Sequence, residues 1–292
     1  MNSSLSRSCR VCKSTNNFLS FKTKNYSQKN SDLFEYFTCR QCDSLFLKEI
    51  PNNINKYYSK NYHAFKLNHE LSKKDKANIR LIKKIKLKCS FLEIGIGNGY
   101  LIKSLKKFGY KCYCIEPYSK ITEDLENNGI HVISKKLENI KFEELNFKVD
   151  IIFAWHVLEH LENLDIFIEL CKKLLNDGGH VIISTPNKKS FSYKFYEKFW
   201  YHLEAPMHTF LINEEKLVNK FEKINFKKVK IIKNDYLSIM FSKYGWETSG
   251  YYKSKDTGKK FHSYLGKFFS LFMPYIEAIL KKTSQYTIIF TK

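Results

Sequence analysis

The feature that most constrains this chain is a glycine loop between two apolar segments. Phe91–Ile94 has the length and composition of a buried parallel strand, and Leu101–Phe108 has apolar residues at helical spacing. Gly95, Gly97 and Gly99 lie between them. Glycine lets the backbone approach a ligand closely, and the first turn of a helix presents free N–H groups. The pattern therefore predicts a strand–turn–helix corner that binds a nucleotide.

The segment after this corner narrows the choice of nucleotide. A second apolar run, Tyr110–Ile115, predicts the next strand and ends in Glu116, which can accept hydrogen bonds from both ribose hydroxyl groups. The dinucleotide fingerprint is Gly-x-Gly-x-x-Gly, but Tyr100 occupies the place of its third glycine. Glu93 also replaces an apolar residue in the first strand. These departures disfavour an NAD site.

Glu-x-Gly-x-Gly-x-Gly followed by an acidic strand end resembles motif I and its partner in class I S-adenosylmethionine-dependent methyltransferases. The resemblance implies that Glu93 helps to hold the methionine end of the cofactor, that the three glycines line it and that Glu116 holds its ribose. Leu137 and Glu138 fall where this family reads the adenine ring, with the acidic side chain near the adenine amino group. A solvated Glu138 is the alternative.

The stretch Asp150–His160 is similar to the fourth strand of that family and its exit. It has an apolar strand that begins with Asp, a small residue at the carboxyl end and then His-x-x-Glu-His. Ligands bind outside the carboxyl ends of parallel strands, so Ala154, Trp155 and His156 are expected to face the sulfonium and the acceptor. His160 is expected to lie deeper as a structural residue. A metal pair from His156 and His160 lacks a third ligand in the sequence.

The later motifs complete the predicted architecture. Leu174–Asn187 reads as a helix end, a Gly-Gly turn and a fifth strand, and Phe226–Ile232 and Tyr286–Phe290 predict a hairpin that closes the sheet. The predicted fold class is α/β, with a Rossmann-like seven-stranded methyltransferase sheet, a small N-terminal zinc ribbon and a C-terminal lid insertion. The predicted domains are a ribbon (1–48), a helical linker (49–88) and a methyltransferase domain (89–292) with a lid or cap (235–284).

Two Cys-x-x-Cys pairs predict a metal site near the N-terminus. Cys9 and Cys12 form the first pair, and Cys39 and Cys42 form the second, 26 residues further on. Four thiolates at such spacing are typical of a tetrahedral structural Zn²⁺ site, with no position left open for catalysis. Unpaired or disulfide-bonded cysteines are the alternative, which an intracellular setting disfavours. The other cysteines lie in or beside apolar runs and are expected in the core: Cys89, Cys112, Cys114 and Cys171.

The linker carries Tyr57, Tyr58 and Tyr62 between the ribbon and motif I. This arrangement resembles bacterial methyltransferases that act on sugars, either nucleotide-linked or within surface-polysaccharide pathways. The resemblance implies a sugar or nucleotide-sugar acceptor, and in some of these enzymes tyrosines of the linker close over the active site. Packing of the ribbon onto the main domain is the alternative role for these tyrosines.

The predicted chemistry needs a base as well as a cofactor. The sulfonium already carries the activated methyl group, so the protein must align acceptor, methyl and sulfur, and a hydroxyl acceptor must also lose a proton. Histidine suits this role near neutral pH. The candidates, in order, are His208, His156 and His202. For each of them the alternative is a hydrogen-bonded pocket residue without proton transfer.

The formal net charge of +21 raises the question of nucleic acid. Only four of the 50 basic residues are arginine, and arginine is the side chain best suited to bidentate phosphate and base recognition. We therefore expect anionic small acceptors rather than nucleic acid. A zinc-containing RNA methyltransferase, similar to ribosomal guanine-N1 enzymes, is the alternative function, although the Ala154–His160 stretch does not match their pattern.

The sequence predicts a cytoplasmic protein without a transmembrane segment. Met1–Cys12 is polar, and Leu265–Leu280 is too short to span a bilayer and is interrupted by Lys267, Pro274 and Glu277. The amphipathic part of the insertion reads as a lid or an acceptor-binding cap. An oligomer interface and a helix resting on a membrane stay open, as does the oligomeric state.

Overall fold

The computed structural model describes residues 8–15, 18–27, 32–58, 71–117 and 121–292. Its strands are β1 (Phe18–Lys24), β2 (Leu33–Cys39), β3 (Leu45–Leu47), β4 (Ser90–Ile94), β5 (Lys111–Ile115), β6 (His131–Ile133), β7 (Val149–Trp155), β8 (Leu175–Pro186), β9 (Phe210–Leu211), β10 (Lys227–Ile232) and β11 (Gln285–Thr291). Its α-helices are α1 (Lys73–Ile85), α2 (Tyr100–Lys107), α3 (Thr122–Asn127), α4 (Leu164–Leu174), α5 (Phe191–Tyr196), α6 (Glu214–Glu222), α7 (Tyr236–Thr257), α8 (Phe261–Ser270) and α9 (Met273–Ile279).

The main sheet has seven strands in the order β10-β11-β8-β7-β4-β5-β6. β4 to β8 pair in parallel, whereas β11 is antiparallel to both β8 and β10. The apolar runs are buried on both faces of the sheet, as parallel strands require. From β4 the chain winds outward through β5 and β6, and then returns to β7 on the other side of β4. This topological switch places a ligand crevice at the carboxyl ends of β4 and β7. The α/β fold and the seven-stranded sheet are confirmed.

A second, four-stranded sheet has the order β1-β2-β3-β9. Its last strand, β9, comes from the segment after β8, so the N-terminal module and the main domain share one sheet. The Tyr36 hydroxyl donates to the backbone oxygen of His208 at 2.7 Å, and the Asn213 N–H donates to Ser44 Oγ at 3.0 Å. The N-terminal module is therefore fixed directly to the segment that carries His208.

Residues 235–284 form a helical layer of α7, α8 and α9 over the end of the sheet. α7 begins at Asp235, whose side chain accepts from the Ser238 N–H, and α8 packs closely along α7. Gly250 and Gly266 face each other at this contact, where a Cβ atom on Gly266 would lie 2.8 Å from the Trp246 oxygen and 2.9 Å from the Gly250 Cα. Among the described helices, none is both long and apolar enough to cross a membrane.

This contact predicts that Gly266→Ala destabilises the fold. The new methyl group would meet backbone atoms, which cannot move aside, so overpacking should lower the free energy of unfolding by about 1–3 kcal/mol. Without a close contact, replacing glycine by alanine within a helix would raise the free energy of unfolding by about 1 kcal/mol. The sign of the measured change therefore shows whether the contact is close. Urea denaturation measures it, with Lys267→Ala on the exposed side of the same helix as the control. An unchanged or more stable Gly266→Ala protein would contradict the close contact.

Candidate active site

A cavity of about 570 Å³ opens at the carboxyl ends of β4 and β7, between the sheet and α7. Most of the residues predicted from sequence line it together: Glu93, Gly95, Gly97, Glu116, Glu138, Trp155, His156, His202 and His208. Gly99 lies behind this wall as the N-cap of α2, and Ala154 is fully buried within β7. Tyr58 also lines the cavity, whereas Tyr62 lies outside the described residues.

The glycine corner is held in a conformation that favours glycine. Gly95, Gly97 and Gly99 have φ angles of 70°, 56° and 70°. A Cβ atom on Gly95 would lie only 2.6 Å from Cγ2 of Val157. Glu116 is buried, and its Oε2 accepts from the Ile96 N–H at 3.2 Å. The corner is thus a rigid turn with a carboxylate beside it, as a ribose site requires.

Two buried acceptors on the cavity wall have no hydrogen-bond donor among the described residues. They are Oε2 of Glu93 and Oδ1 of Asn78, whose residues are 5% and 1% exposed. Burial raises the pKa of Glu93 well above its ordinary value. Buried acceptors normally have partners, so this pair fits a ligand that brings a positively charged amino group. The amino group of S-adenosylmethionine is of that kind, and Glu93, Asn78 and Glu116 are the residues that would hold this cofactor.

His156 has both ring nitrogens engaged within the protein. Nδ1 lies 2.9 Å from Oε1 of Glu159, and Nε2 lies 2.9 Å from Oε1 of Gln285. The ring also stacks on Phe241 of α7, with 4.5 Å between centroids. His156 has a positive φ of 52°, and its N–H donates to the Ser184 oxygen. The geometry makes His156 an anchor between the sheet and α7 rather than an open base.

Glu159 is the fully buried partner that holds His156. Its Oε2 accepts from the Thr185 hydroxyl at 2.9 Å. Burial alone would raise the pKa of Glu159, but the His156 imidazole and the other nearby histidines outweigh this effect and hold that pKa at about 2. Glu159 is therefore an anion at neutral pH, and its carboxylate lies within ion-pair distance of His156.

His208 presents a different arrangement. Its Nδ1–H donates to the backbone oxygen of His202 at 2.8 Å, which leaves Nε2 as the acceptor nitrogen of the neutral ring. Burial lowers the pKa of His208 well below its ordinary value of 6.5, so the ring is neutral under physiological conditions. Nε2 lies 3.6 Å from Oε2 of Glu204, which also lines the cavity. His202 differs, because its Nε2–H donates to the Phe241 oxygen at 2.9 Å.

His160 packs beside His208, with their rings edge to face and 4.7 Å between centroids. Its Nδ1 lies 3.1 Å from both the Met207 oxygen and the Tyr58 hydroxyl. Glu159, His160 and His208 can each offer a ligand atom within 4.8 Å of one another, a group that does not include His156 of the pair considered from the sequence. Tyr58 thus links the linker to this histidine cluster.

The four cysteines of the N-terminal module converge. Sγ of Cys9 lies 3.6 Å from Sγ of Cys42, and Sγ of Cys12 lies 3.7 Å from Sγ of Cys39. Zn–S bonds of about 2.3 Å in a tetrahedron place sulfur atoms about 3.8 Å apart, so the set fits Zn²⁺. The two turns are also alike, since the Cys9 N–H donates to the Ser14 oxygen and the Cys39 N–H to the Ser44 oxygen.

Several residues of the site were not found from the sequence. Lys74, Asn78, Glu204 and Phe241 line the cavity, and Glu159 is fully buried beside it, where it accepts from Thr185. Lys74 and Asn78 are one helical turn apart on α1, so an amphipathic reading of that helix toward the cavity could have identified them. Glu159 stands within the motif that identified His156. Phe241 had no local signal, because only the packing of α7 brings it to the cavity.

A family model described as a methyltransferase domain matches residues 57–231, more than half of the chain. The chain belongs to this methyltransferase family. The matched range contains the glycine corner, Glu116, His156 and His208. The domain is therefore an S-adenosylmethionine-dependent methyltransferase domain, as the resemblance implied.

Similar curated proteins include the ubiquinone biosynthesis O-methyltransferase of Rattus norvegicus mitochondria, which is 28% identical over 116 residues. That match covers 35% of this chain and 32% of the rat protein, so the chain spans about a third of its relative's length. An uncharacterized protein of Methanocaldococcus jannaschii is 27% identical over 165 residues, covering 56% of this chain and 77% of that protein.

Two solved structures have similar folds. A phosphoethanolamine N-methyltransferase 2 of Haemonchus contortus in complex with S-adenosyl-L-methionine aligns with a TM-score of 0.51 at 15% identity, covering 85% of this chain and 61% of that one. An S-adenosylmethionine-dependent methyltransferase of Archaeoglobus fulgidus aligns with a TM-score of 0.50 at 20% identity, covering 74% and 92%. At these identities the likeness establishes the fold alone.

The buried histidines predict how stability depends on pH. Burial lowers the pKa values of His160 and His208, so below pH 6.5 the unfolded chain binds protons that the folded chain does not. The contribution of these two histidines is therefore present above pH 6.5 and is lost as the pH falls, by up to about 1.4 kcal/mol per pH unit for each histidine. Burial raises the pKa of Glu277 to about 7 and the pKa of Glu93 well above 4.5, so these two carboxyl groups act in the opposite direction over the same pH range. The pKa of Glu159, at about 2, affects stability only below its ordinary value of 4.5.

Urea denaturation between pH 7.5 and pH 5 measures this slope. In His208→Asn the contribution of this ring is gone, so the stability difference between the wild type and the variant should shrink as the pH falls, by up to about 1.4 kcal/mol per pH unit. Parallel pH profiles for the two proteins would contradict the neutral, buried state of His208.

Proposed function

We propose that this protein transfers a methyl group from S-adenosylmethionine to a hydroxyl group of a small acceptor, with His208 as the base. The observation that carries the proposal is the hydrogen bond from His208 Nδ1–H to the His202 oxygen, which leaves Nε2 as the proton acceptor in a ring that lines the cofactor cavity. Among the three histidine candidates, His156 has both nitrogens engaged by acidic and amide groups. His208 is the one whose geometry suits proton removal.

The cofactor supplies an electrophilic methyl group, and the protein supplies position and a proton acceptor. Glu93 and Asn78 would hold the amino group of the cofactor, and Glu116 would hold its ribose. His208 Nε2 would take the proton of the acceptor hydroxyl as its oxygen bonds to the methyl carbon and the methyl–sulfur bond of the cofactor breaks, which leaves the thioether S-adenosylhomocysteine. The apolar wall of Trp155 and Phe241 excludes water, and Glu159 keeps His156 in place beneath Phe241.

The acceptor we propose is a sugar or a nucleotide-sugar, anionic in character. The formal net charge of +21 supports a negatively charged acceptor. The name of the rat relative, an O-methyltransferase, supports a hydroxyl as the reacting group. The sugar class itself rests on the resemblance of the ribbon, linker tyrosines and motif I to sugar methyltransferases. Methylation of a sugar carbon would use the same base to form an enolate, and RNA remains the alternative acceptor class.

Replacement of His208 tests the proposed base. We expect His208→Gln to lower methyl transfer from labelled S-adenosylmethionine into the sugar-nucleotide fraction of a cell extract by at least about 100-fold, while cofactor affinity stays unchanged. His262→Gln, on α8 and away from the cavity, is the matched control and should keep full activity. Unchanged transfer by His208→Gln would remove it as the base, and label in the RNA fraction would overturn the acceptor class.

We further propose that Cys9, Cys12, Cys39 and Cys42 bind one structural Zn²⁺. The sulfur separations and the two like turns support this, and four thiolates leave no open position for catalysis. The metal would tie β2 and the first turn together, and so stabilise the shared sheet that holds the His208 segment.

Elemental analysis of the purified protein tests the zinc proposal. We expect about one zinc per chain, and we expect Cys9→Ser to lower both the zinc content and the melting temperature, because one ligand is lost. Cys89→Ser, at the start of the main sheet, is the matched control and should retain the metal. Wild-type protein without zinc, with the four thiols reduced and the fold intact, would refute the proposal.

A further inference from the structure

Large exposed hydrophobic side chains are concentrated on α8 and α9. Nine of the eighteen among the described residues fall within the twenty residues 261–280. The most exposed are Ile279 at 79%, Leu271 at 67% and Tyr264 at 67%. The full set on this face is Phe261, Tyr264, Phe268, Leu271, Phe272, Tyr275, Ile276, Ile279 and Leu280. Such a concentration marks an interaction surface rather than scattered surface residues.

These side chains form one stripe along both helices. Positions 261, 264 and 268 lie at three- and four-residue spacing on α8, and positions 275, 276 and 279 do so on α9, so each helix presents one apolar side. The Phe268 and Phe272 rings meet at 5.2 Å between centroids, which carries the stripe across the turn from α8 to α9. We call this set of nine residues the apolar face.

The opposite side of the same helices is fixed to the protein. Gly266 lies against Gly250 of α7, and Pro274, Glu277 and Ala278 of α9 are buried. Glu277 Oε1 accepts from the Ser192 N–H at 2.9 Å. The apolar face therefore points outward because the opposite side of α8 and α9 is held by these contacts. It cannot turn inward without breaking them.

The exposed charge of the segment that carries the apolar face has one sign. Five lysines lie between 259 and 282: Lys259, Lys260, Lys267, Lys281 and Lys282. They stand at both ends and in the middle of the helix pair. The one carboxylate of the stretch 258–292 is Glu277, which is fully buried. The stretch 258–292 thus combines aromatic and aliphatic side chains with lysines, and its one carboxylate is not exposed.

We propose that the apolar face lies on an anionic membrane surface, with α8 and α9 parallel to the plane of the bilayer. The apolar side chains would enter the boundary between headgroups and acyl chains, and the lysines would contact anionic headgroups. Charge complementarity favours this occupant over a second copy of the chain. A symmetric dimer through the same face would bring the five lysines of one copy against those of the other.

The apolar face is connected to the candidate active site through α7. α8 packs along α7, and α7 carries Phe241 and Tyr244 on the cavity wall. Membrane contact would therefore place the catalytic cavity one helix layer away from the lipid surface.

Sedimentation with lipid vesicles tests the proposal on the full chain. We expect the protein to bind vesicles of phosphatidylcholine with about 30 mol% phosphatidylglycerol, to bind phosphatidylcholine alone at least about tenfold more weakly, and to lose binding as salt is raised. The triple variant Tyr264→Ser, Leu271→Ser, Ile279→Ser should bind the anionic vesicles at least about tenfold more weakly than the wild type.

A matched control separates the apolar face from general surface hydrophobicity. Leu33→Ser, Leu87→Ser, Val229→Ser removes three side chains that are 61%, 60% and 55% exposed elsewhere, and it should bind vesicles like the wild type. Circular dichroism checks that both triple variants stay folded. Failure of the wild type to bind, or equal binding by the two triple variants, would overturn the proposal. So would a lipid-free wild-type dimer that dissociates when the face is substituted, because a second copy would then be the occupant.

Discussion

The buried carboxylate of Glu159 is the interaction on which the site depends. It accepts from Thr185 of β8 and holds His156, whose ring in turn meets Gln285 of β11 and stacks on Phe241 of α7. The backbone oxygen of Glu159 accepts from the Thr209 N–H at 2.7 Å, one residue beyond His208. Glu159 thus connects three parts of the protein. Its carboxylate contacts the central sheet and, through His156, the helical layer, and its backbone oxygen contacts the segment of the proposed base. A buried carboxylate of this kind persists only because its partners are in place.

The shared sheet gives the N-terminal module a role in the site. β9 pairs with β3, and Tyr36 of β2 donates to the backbone oxygen of His208. A metal bound by the cysteines would fix β2 and β3 and so hold the proposed base in position from outside the cavity. Tyr58 of the linker also contacts His160. On this account the module contributes to catalysis through position, because four thiolates around one metal ion would leave no open coordination position for chemistry.

The sequence predicts the parts of the fold that follow from local pattern. Phe91–Ile94 and the glycines predict β4, the turn and α2, and Phe226–Ile232 with Tyr286–Phe290 predicts the hairpin of β10 and β11. The wall of the site is formed by contacts between segments that are distant in sequence, and the spacing of apolar residues within one segment does not predict such contacts. Phe241 reaches His156 only because α7 crosses the sheet, and β9 joins the N-terminal sheet from a segment that has only two strand residues. The histidine roles likewise follow from hydrogen-bond partners, not from residue type.

The most direct test of the account is calorimetric titration of S-adenosylmethionine into the wild type and into Glu93→Gln, each in two buffers of different ionisation enthalpy. Burial raises the pKa of Glu93, so binding of the cofactor's amino group should drive a proton off this carboxyl group. The account predicts binding with proton release by the wild type, and weaker binding without that release by Glu93→Gln. Absence of binding, or equal affinity and proton release in the two proteins, would contradict it.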